Sequence, residues 1–266
     1  MSGVRLIQVP YHLGRKGVVL GAGPAPLAHA IGGDSVVVER PGEFRNETKA
    51  IFDVVEALAA TVRETVDEGR FPLVLGGNCS SALGAVTGLD RDVGVVWFDA
   101  HGDFHTPDST PTGFLEGMIL ALLTGEGWNE LRRELRTVPP ERVVLVGARD
   151  FEPTEEERLT RSSIARADTG SLGAALDALA EHTEAVYVHI DLDVLDPTEG
   201  RASGWAAGGG LSADELDSAL GAIASRFEIA AAAFTAYDPT CDEEGRIPRI
   251  AARVAPRLLR AGVVAS

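Results

Sequence analysis

A chain of 266 residues, 45% hydrophobic and 24% charged, is long enough to close one large core and short for two ordinary domains, so residues 1–266 are expected to form a single domain. With 24 basic against 40 acidic residues the formal net charge is -16, which repels a phosphate backbone and an anionic membrane surface and excludes both as expected partners. No apolar run nears the ~20 residues that span a bilayer, and Met1 to Pro10 lacks the regions of a secretion signal, so a cytoplasmic protein is expected, with Cys79 and Cys241 better read as a ligand or buried thiols than as a disulfide.

In chain order, the runs Arg5 to Val9, Ser35 to Glu39, Pro72 to Gly76, Gly94 to Phe98, Arg142 to Gly147, Ser163 to Arg166, Ala185 to Ile190 and Ile229 to Phe234 predict strands. Gly21-Ala-Gly23-Pro24 starts a helix, with Pro24 near its first turn. Between Asn46 and Glu68 the apolar residues Ile51, Val55, Leu58, Val62 and Val66 fall three or four apart, which predicts a helix that Gly69 can end. Thr154 with Glu157, and Ser212 with Glu215, read as capping boxes, the second opening a helix with the stripe Leu216, Leu220, Ile223 and Phe227. Thr198 to Gly210, rich in Gly and Ala, reads as a long flexible loop, and a last helix is expected over Arg246 to Arg260. Strands alternating with helices, and strands such as Val93 to Phe98 apolar on both faces, predict a three-layer α/β/α fold around a central, mainly parallel sheet of about eight strands.

In such a sheet ligands bind beyond the carboxyl ends of the strands, and the polar residues of this sequence collect there. Three strands run into Gly77-Asn78-Cys79, Asp99-Ala-His101-Gly-Asp103 and Asp191-Leu-Asp193. At strand spacing Asp99, His101 and Asp103 can converge, as can Asp191 and Asp193. Unpaired buried carboxylates cost several kcal/mol each or more, so something positive must sit among them. Arg149 is the only nearby Arg at a strand end and has Asp150 beside it. Divalent cations fit better, and carboxylates with imidazole suit manganese, iron or zinc. Two closely spaced metals would lower the pKa of a shared water and so support hydrolysis. The alternative, strand-end Asp residues that cap the next helices, accounts for one cluster but not for both.

At these residues the sequence resembles the ureohydrolases, the family of arginase, agmatinase and formimidoylglutamase. The resemblance rests on Gly76-Gly-Asn-Cys-Ser80, Asp99-Ala-His-Gly-Asp103 and Asp191-Leu-Asp-Val-Leu-Asp-Pro197, and covers most of the chain. It implies an arginase-like fold and two manganese ions, one held by Cys79, Asp99, Asp103 and Asp191, the other by Asp99, His101, Asp191 and Asp193. It also implies attack of a shared hydroxide on a guanidinium or amidine carbon, and assembly as a homotrimer or homohexamer. Family positions that contact an amino-acid head group correspond to His105, Thr110, Thr112 and Glu152.

Three residues depart from the family pattern. Cys79 stands where most members place a metal-binding His; a thiolate leaves the centre one negative charge richer, favours zinc or iron, and makes partial occupancy expected. A similar substitution, with a segment like His101 to Phe104, marks the branch that hydrolyses N-omega-hydroxy-arginine. Ala236 stands where arginases and agmatinases place a Glu that pairs with the guanidinium, a loss of roughly 3 to 5 kcal/mol unless another acid, such as Asp238, substitutes. Asp238 also reads as a turn residue before Pro239. Glu116 stands at the position of a proton-shuttling His and, with Asp103, makes up the catalytic set; it also reads as a first-turn helix Glu. The expected activity is metal-dependent hydrolysis of a linear carbon–nitrogen bond in a guanidino, hydroxyguanidino or amidino amino acid. The competing readings are a catalytically degenerate binding protein of the same fold and, more weakly, a zinc deacetylase of related fold.

Overall fold

The computed structural model describes residues 3–131 and 133–259. The first half runs β1 (Val4–Val9), a hairpin of β2 (Tyr11–His12) and β3 (Arg15–Lys16), α1 (Pro24–Ile31), β4 (Ser35–Val37), α2 (Glu47–Asp67), β5 (Phe71–Gly76), α3 (Ser81–Gly88), β6 (Gly94–Phe98) and α4 (Ile119–Leu123). The second half runs β7 (Val143–Val146), α5 (Pro153–Arg161), β8 (Ala165–Ala167), α6 (Leu172–Ala180), β9 (Ala185–Asp191), α7 (Ala213–Ala224), β10 (Glu228–Thr235) and α8 (Arg246–Leu258). Eight strands form one sheet in the order β4-β1-β5-β10-β9-β6-β7-β8, and every pairing in it is parallel.

The period-two alternation of each strand divides the core. Ile7, Val74, Val95, Trp97 and Tyr187 point to one face, where Ile51, Val55 and Leu58 of α2 and Leu83 of α3 cover them. Their neighbours Leu6, Leu73, Val96, Phe98 and Val188 point to the other, under Leu27 of α1, Leu176 of α6, Leu216 and Leu220 of α7 and Ile247 of α8. The result is the three-layer α/β/α arrangement expected from the sequence. Between β5 and β6 the chain skips two positions that β9 and β10 fill later, and the crevice left where the order reverses lies at the carboxyl ends of the four central strands.

All eight expected strands are present, each with ends within two residues of those read from the pattern. Asn46 caps α2 by accepting from the amide of Lys49 at 2.8 Å, and Ser212 with Glu215 forms the reciprocal capping box of α7. The second expected box is corrected: α5 is capped at Glu152 and carries no side-chain cap, because Pro153 takes the first helical position and starts the helix ahead of Thr154. The stretch from Thr198 to Gly210 is irregular but tethered. Asp196 accepts from the amides of Thr198, Gly209 and Gly210, and Ala202 O accepts from the amide of Asp238 at 2.8 Å. The last helix ends at Leu258, and Arg260 lies outside the described residues. Among the described residues no helix is long and apolar enough to cross a membrane.

Candidate metal centre

Each of the four central strands delivers a residue to the crevice just after its last ladder bond. Cys79 follows β5 through Gly76 and Gly77, Asp99 follows β6, Asp191 ends β9, and Ala236 follows β10. The β5 exit depends on glycine: a Cβ on Gly77 would stand 2.2 Å from the carbonyl oxygen of Tyr11. Two triads of potential ligands meet there and share Asp99: Cys79, Asp99 and Asp191, and Asp99, His101 and Asp193, the ligand atoms of each lying within 4.8 Å of one another. Cys79 Sγ donates to Asp191 Oδ2 at 3.0 Å, and His101 Nδ1 lies 3.3 Å from Asp99 Oδ1 and 3.4 Å from Asp193 Oδ2. Backbone amides aim the carboxylates. The His101 amide donates to Asp99 Oδ1 at 2.8 Å, the Asp193 amide to Asp191 Oδ1 at 2.9 Å, and the Ala100 amide to Asp193 Oδ1 at 3.2 Å.

Asp103 belongs to neither triad but lines the same cavity. Its Oδ2 is fully buried without a hydrogen-bond partner, and its backbone sits at φ 46°, a conformation rare for a residue with a Cβ. A buried carboxylate oxygen left bare suits coordination to a cation. Among the described residues no Lys or Arg lines the cavity to supply that charge. Arg149 turns away and spends its guanidinium on the carbonyls of Gly147, Asp193, Val194, Ala207 and Gly208, which ties the loop before α7 to the end of β9. A donor set of carboxylates, one imidazole and one sulfur around a shared Asp fits a pair of divalent ions.

Without an ion, protons hold the cluster together. Burial, then the carboxylates of Asp191, Asp103 and Asp99, push the Cys79 thiol well up. Burial, then Asp193 and Asp99, raises Asp191, while burial and Asp99 raise Asp103. Burial works against charge on His101, but Asp193 and Asp99 outweigh it and push its pKa up to about 12. An incoming metal therefore replaces protons on these groups.

The cavity above the triads has a volume of about 410 Å³. His105, Thr110, Thr112, Glu116 and Glu152 all line it, as does Ala236, which is buried at φ 60° and offers no charge. Glu116 is 4% exposed; its Oε2 accepts from the Ser80 amide at 2.8 Å and its Oε1 is buried with no partner. Burial lifts its pKa to about 7 against the pull of the Ser80 amide. Thr110 Oγ1 and Thr112 Oγ1 accept from the amides of Gly113 and Phe114, leaving their hydroxyl hydrogens to give. His105 Nε2 lies 3.0 Å from Glu152 Oε2. Asp238 is elsewhere. Its Oδ1 accepts from the Thr240 amide at 2.9 Å and the Thr240 hydroxyl at 2.8 Å, so it serves the turn before Cys241 rather than the cavity, and no acid substitutes at Ala236 from that position.

Sequence reasoning overlooked several residues. Glu155 is 3% exposed, lines the cavity and accepts from the Phe104 amide at 2.9 Å. Phe114 and Trp205 stand at the cavity wall with ring centroids 6.2 Å apart, although both keep more than a third of their surface exposed. Beneath the ligands, Trp97 Nε1 donates to Asp99 Oδ2 at 3.0 Å, and His189, its pKa pushed down to about 3 by burial, stacks on Trp97 at 3.7 Å. A His inside an otherwise apolar strand was the one signal for this layer. Isolated loop aromatics carry none.

The chain is similar to known proteins over most of its length. The Arginase family profile matches residues 20–261. The arginase of Bacillus caldovelox is 31% identical over 94% of this chain and 96% of its own, and that of Brevibacillus brevis 33% identical over 92% and 94%. Among solved structures, an arginase from Bacillus subtilis superposes with a TM-score of 0.85 at 28% identity, covering 97% of this chain and 98% of its own. The formimidoylglutamase of Bacillus subtilis, at 19% identity and a TM-score of 0.79, shares the fold.

Proposed function

This chain belongs to the arginase family, and on that premise we propose that it hydrolyses a carbon–nitrogen bond in a guanidino, hydroxyguanidino or amidino amino acid at a centre for two metals. The observation that carries this reading is the pair of ligand triads joined through Asp99. Cys79, Asp99, Asp103 and Asp191 would hold one ion, and Asp99, His101, Asp191 and Asp193 the other. When bound, a metal pair supplies a hydroxide nucleophile from water near neutral pH and polarises the carbon under attack. We assign manganese as the resident metal by family, with zinc or iron favoured at the Cys79 side by its softer sulfur.

The chain's own residues do the rest. The free hydroxyl hydrogens of Thr110 and Thr112 suit a substrate carboxylate, and Glu152, with His105 beside it, suits an ammonium. Glu116, with Oε1 bare and its pKa raised by burial, is placed to give a proton to a departing amine. With Ala236 in the wall, no carboxylate pairs with a fully charged guanidinium there. That favours a less basic substrate group, such as a hydroxyguanidine, over arginine itself.

A panel of guanidino, hydroxyguanidino and amidino amino acids, assayed for urea, hydroxyurea and ammonia, tests the reading. Steady release from at least one, lost on Asp193→Ala, supports it. The bare wall at Ala236 is also what a non-catalytic binding protein would show. Tight binding of these compounds by metal-loaded protein without release of any product selects that reading instead.

A further inference from the structure

One buried chain of polar side chains has no part in the chemistry above. Tyr187 and His189 lie two apart on β9, Thr235 ends the neighbouring β10, and all three are fully buried. Tyr187 Oη lies 3.1 Å from His189 Nδ1, His189 Nε2 lies 3.2 Å from Thr235 Oγ1, and Thr235 Oγ1 lies 3.8 Å from Cys79 Sγ, within reach of the larger sulfur atom.

The direction of this chain follows from counting hydrogens. Among the described residues His189 Nδ1 is the hydrogen-bond partner of Tyr187 Oη. A buried phenol that only accepted would strand its own hydrogen, so Tyr187 donates and Nδ1 is bare. With Nδ1 accepting from Tyr187 and Nε2 facing Thr235 Oγ1, the ring's hydrogen sits on Nε2. That hydrogen goes to Thr235 Oγ1. The Thr235 hydroxyl, its oxygen engaged, has its own hydrogen left for the sulfur or for Ile190 O at 3.5 Å.

We propose that Tyr187, His189 and Thr235 form a one-way hydrogen-bond relay that presents the Thr235 hydroxyl hydrogen to the Cys79 sulfur and makes a thiolate tolerable as a ligand at this centre. The proposal rests on the reading of Cys79 as a ligand. A thiolate there makes the centre one negative charge richer than an imidazole would, and a donor pointed at the sulfur withdraws part of that charge. The thiol now donates to Asp191. Once its proton leaves, the sulfur keeps the Thr235 donor. Tyr187, His189 and Thr235 are thus positioning residues.

Cobalt(II) titrated into metal-free protein tests this through the sulfur-to-cobalt charge-transfer absorption in the near ultraviolet, with affinity measured by chelator competition. A thiolate stripped of its hydrogen bond gives up an electron more readily. Thr235→Val should therefore move the band to lower energy and weaken cobalt binding roughly 10- to 100-fold, while Thr235→Ser retains both. His189→Phe, which keeps a ring against Trp97 but breaks the relay, should move the band in the same direction, and it serves as the second variant if Thr235→Val fails to fold. A wild-type band with unchanged energy and affinity in Thr235→Val and His189→Phe overturns the relay. Absence of the band in the wild-type protein overturns both Cys79 as a ligand and the relay. Substrate turnover enters none of these readings, so a failed assay for hydrolysis is a separate result.

Discussion

In the proposed function, Glu116 and Ala236 are the two residues on which activity turns. Both were legible as departures from a motif pattern, but what they do depends on neighbours that no spacing reveals. Glu116 is a buried acid whose Oε2 takes the Ser80 amide from the loop after β5, leaving Oε1 bare. Glu116→Gln should lower kcat by about 10²- to 10⁴-fold in steady-state kinetics while metal content stays at the wild-type level. Loss of metal together with activity would make the residue structural. Ala236→Glu returns a carboxylate to the wall and should raise kcat/KM for an unmodified guanidino substrate by on the order of 10²-fold relative to a hydroxyguanidino one. An unchanged ratio of the two would mean that the substrate's cationic end does not reach position 236. Asp238 shows the limit of reading from spacing: two residues from Ala236 it shares a face only if the strand continues, and β10 stops at Thr235.

At the scale of elements, strands and long helices were the most legible, because a two- or 3.6-residue period sustained over several turns seldom arises without a regular element that buries one face. The hairpin of β2 and β3 has two residues a side, too few for a period, yet Tyr11 in it fixes the path of the loop that carries Cys79. Gly77→Ala would press a methyl into the Tyr11 carbonyl and should cost about 1–3 kcal/mol in denaturant unfolding, with weaker metal binding on the Cys79 side. Full stability in that variant would show that the hairpin gives way. Ser212→Ala removes the cap of α7, and a loss of about 1 kcal/mol is expected with no effect on the site, which lies at other elements. The tether of residues 198–210 was illegible, since Gly and Ala say nothing of the Asp196 and Arg149 groups that bind that stretch from outside.

For the whole molecule, the sequence's acidic balance includes a core of acids that fold at a cost. Glu116 has a pKa of about 7 against an ordinary 4.5, so above pH 4.5 the metal-free folded state keeps a proton that the unfolded chain has lost, and stability falls as pH rises to 7, by about 3 kcal/mol. His101, raised from 6.5 to about 12, acts in the same direction: its contribution is full below pH 6.5 and is lost as pH rises toward 12. Metal-free protein should therefore melt at a lower temperature at pH 8.5 than at pH 5.5, and added metal should raise the melting temperature more at the higher pH, where fewer protons have to be displaced. A melting temperature of the metal-free form that rises with pH would contradict the buried, proton-held cluster. The central claim is that Asp99 joins two metal positions, and metal stoichiometry measured by native mass spectrometry on manganese- or zinc-loaded protein tests it most directly. The expected result is about two ions per chain in the wild-type protein, about one in Asp193→Ala, and none held tightly in Asp99→Asn. Asp99→Asn that retains the wild-type stoichiometry, or wild-type protein that holds no more than about one ion per chain after loading, would contradict it.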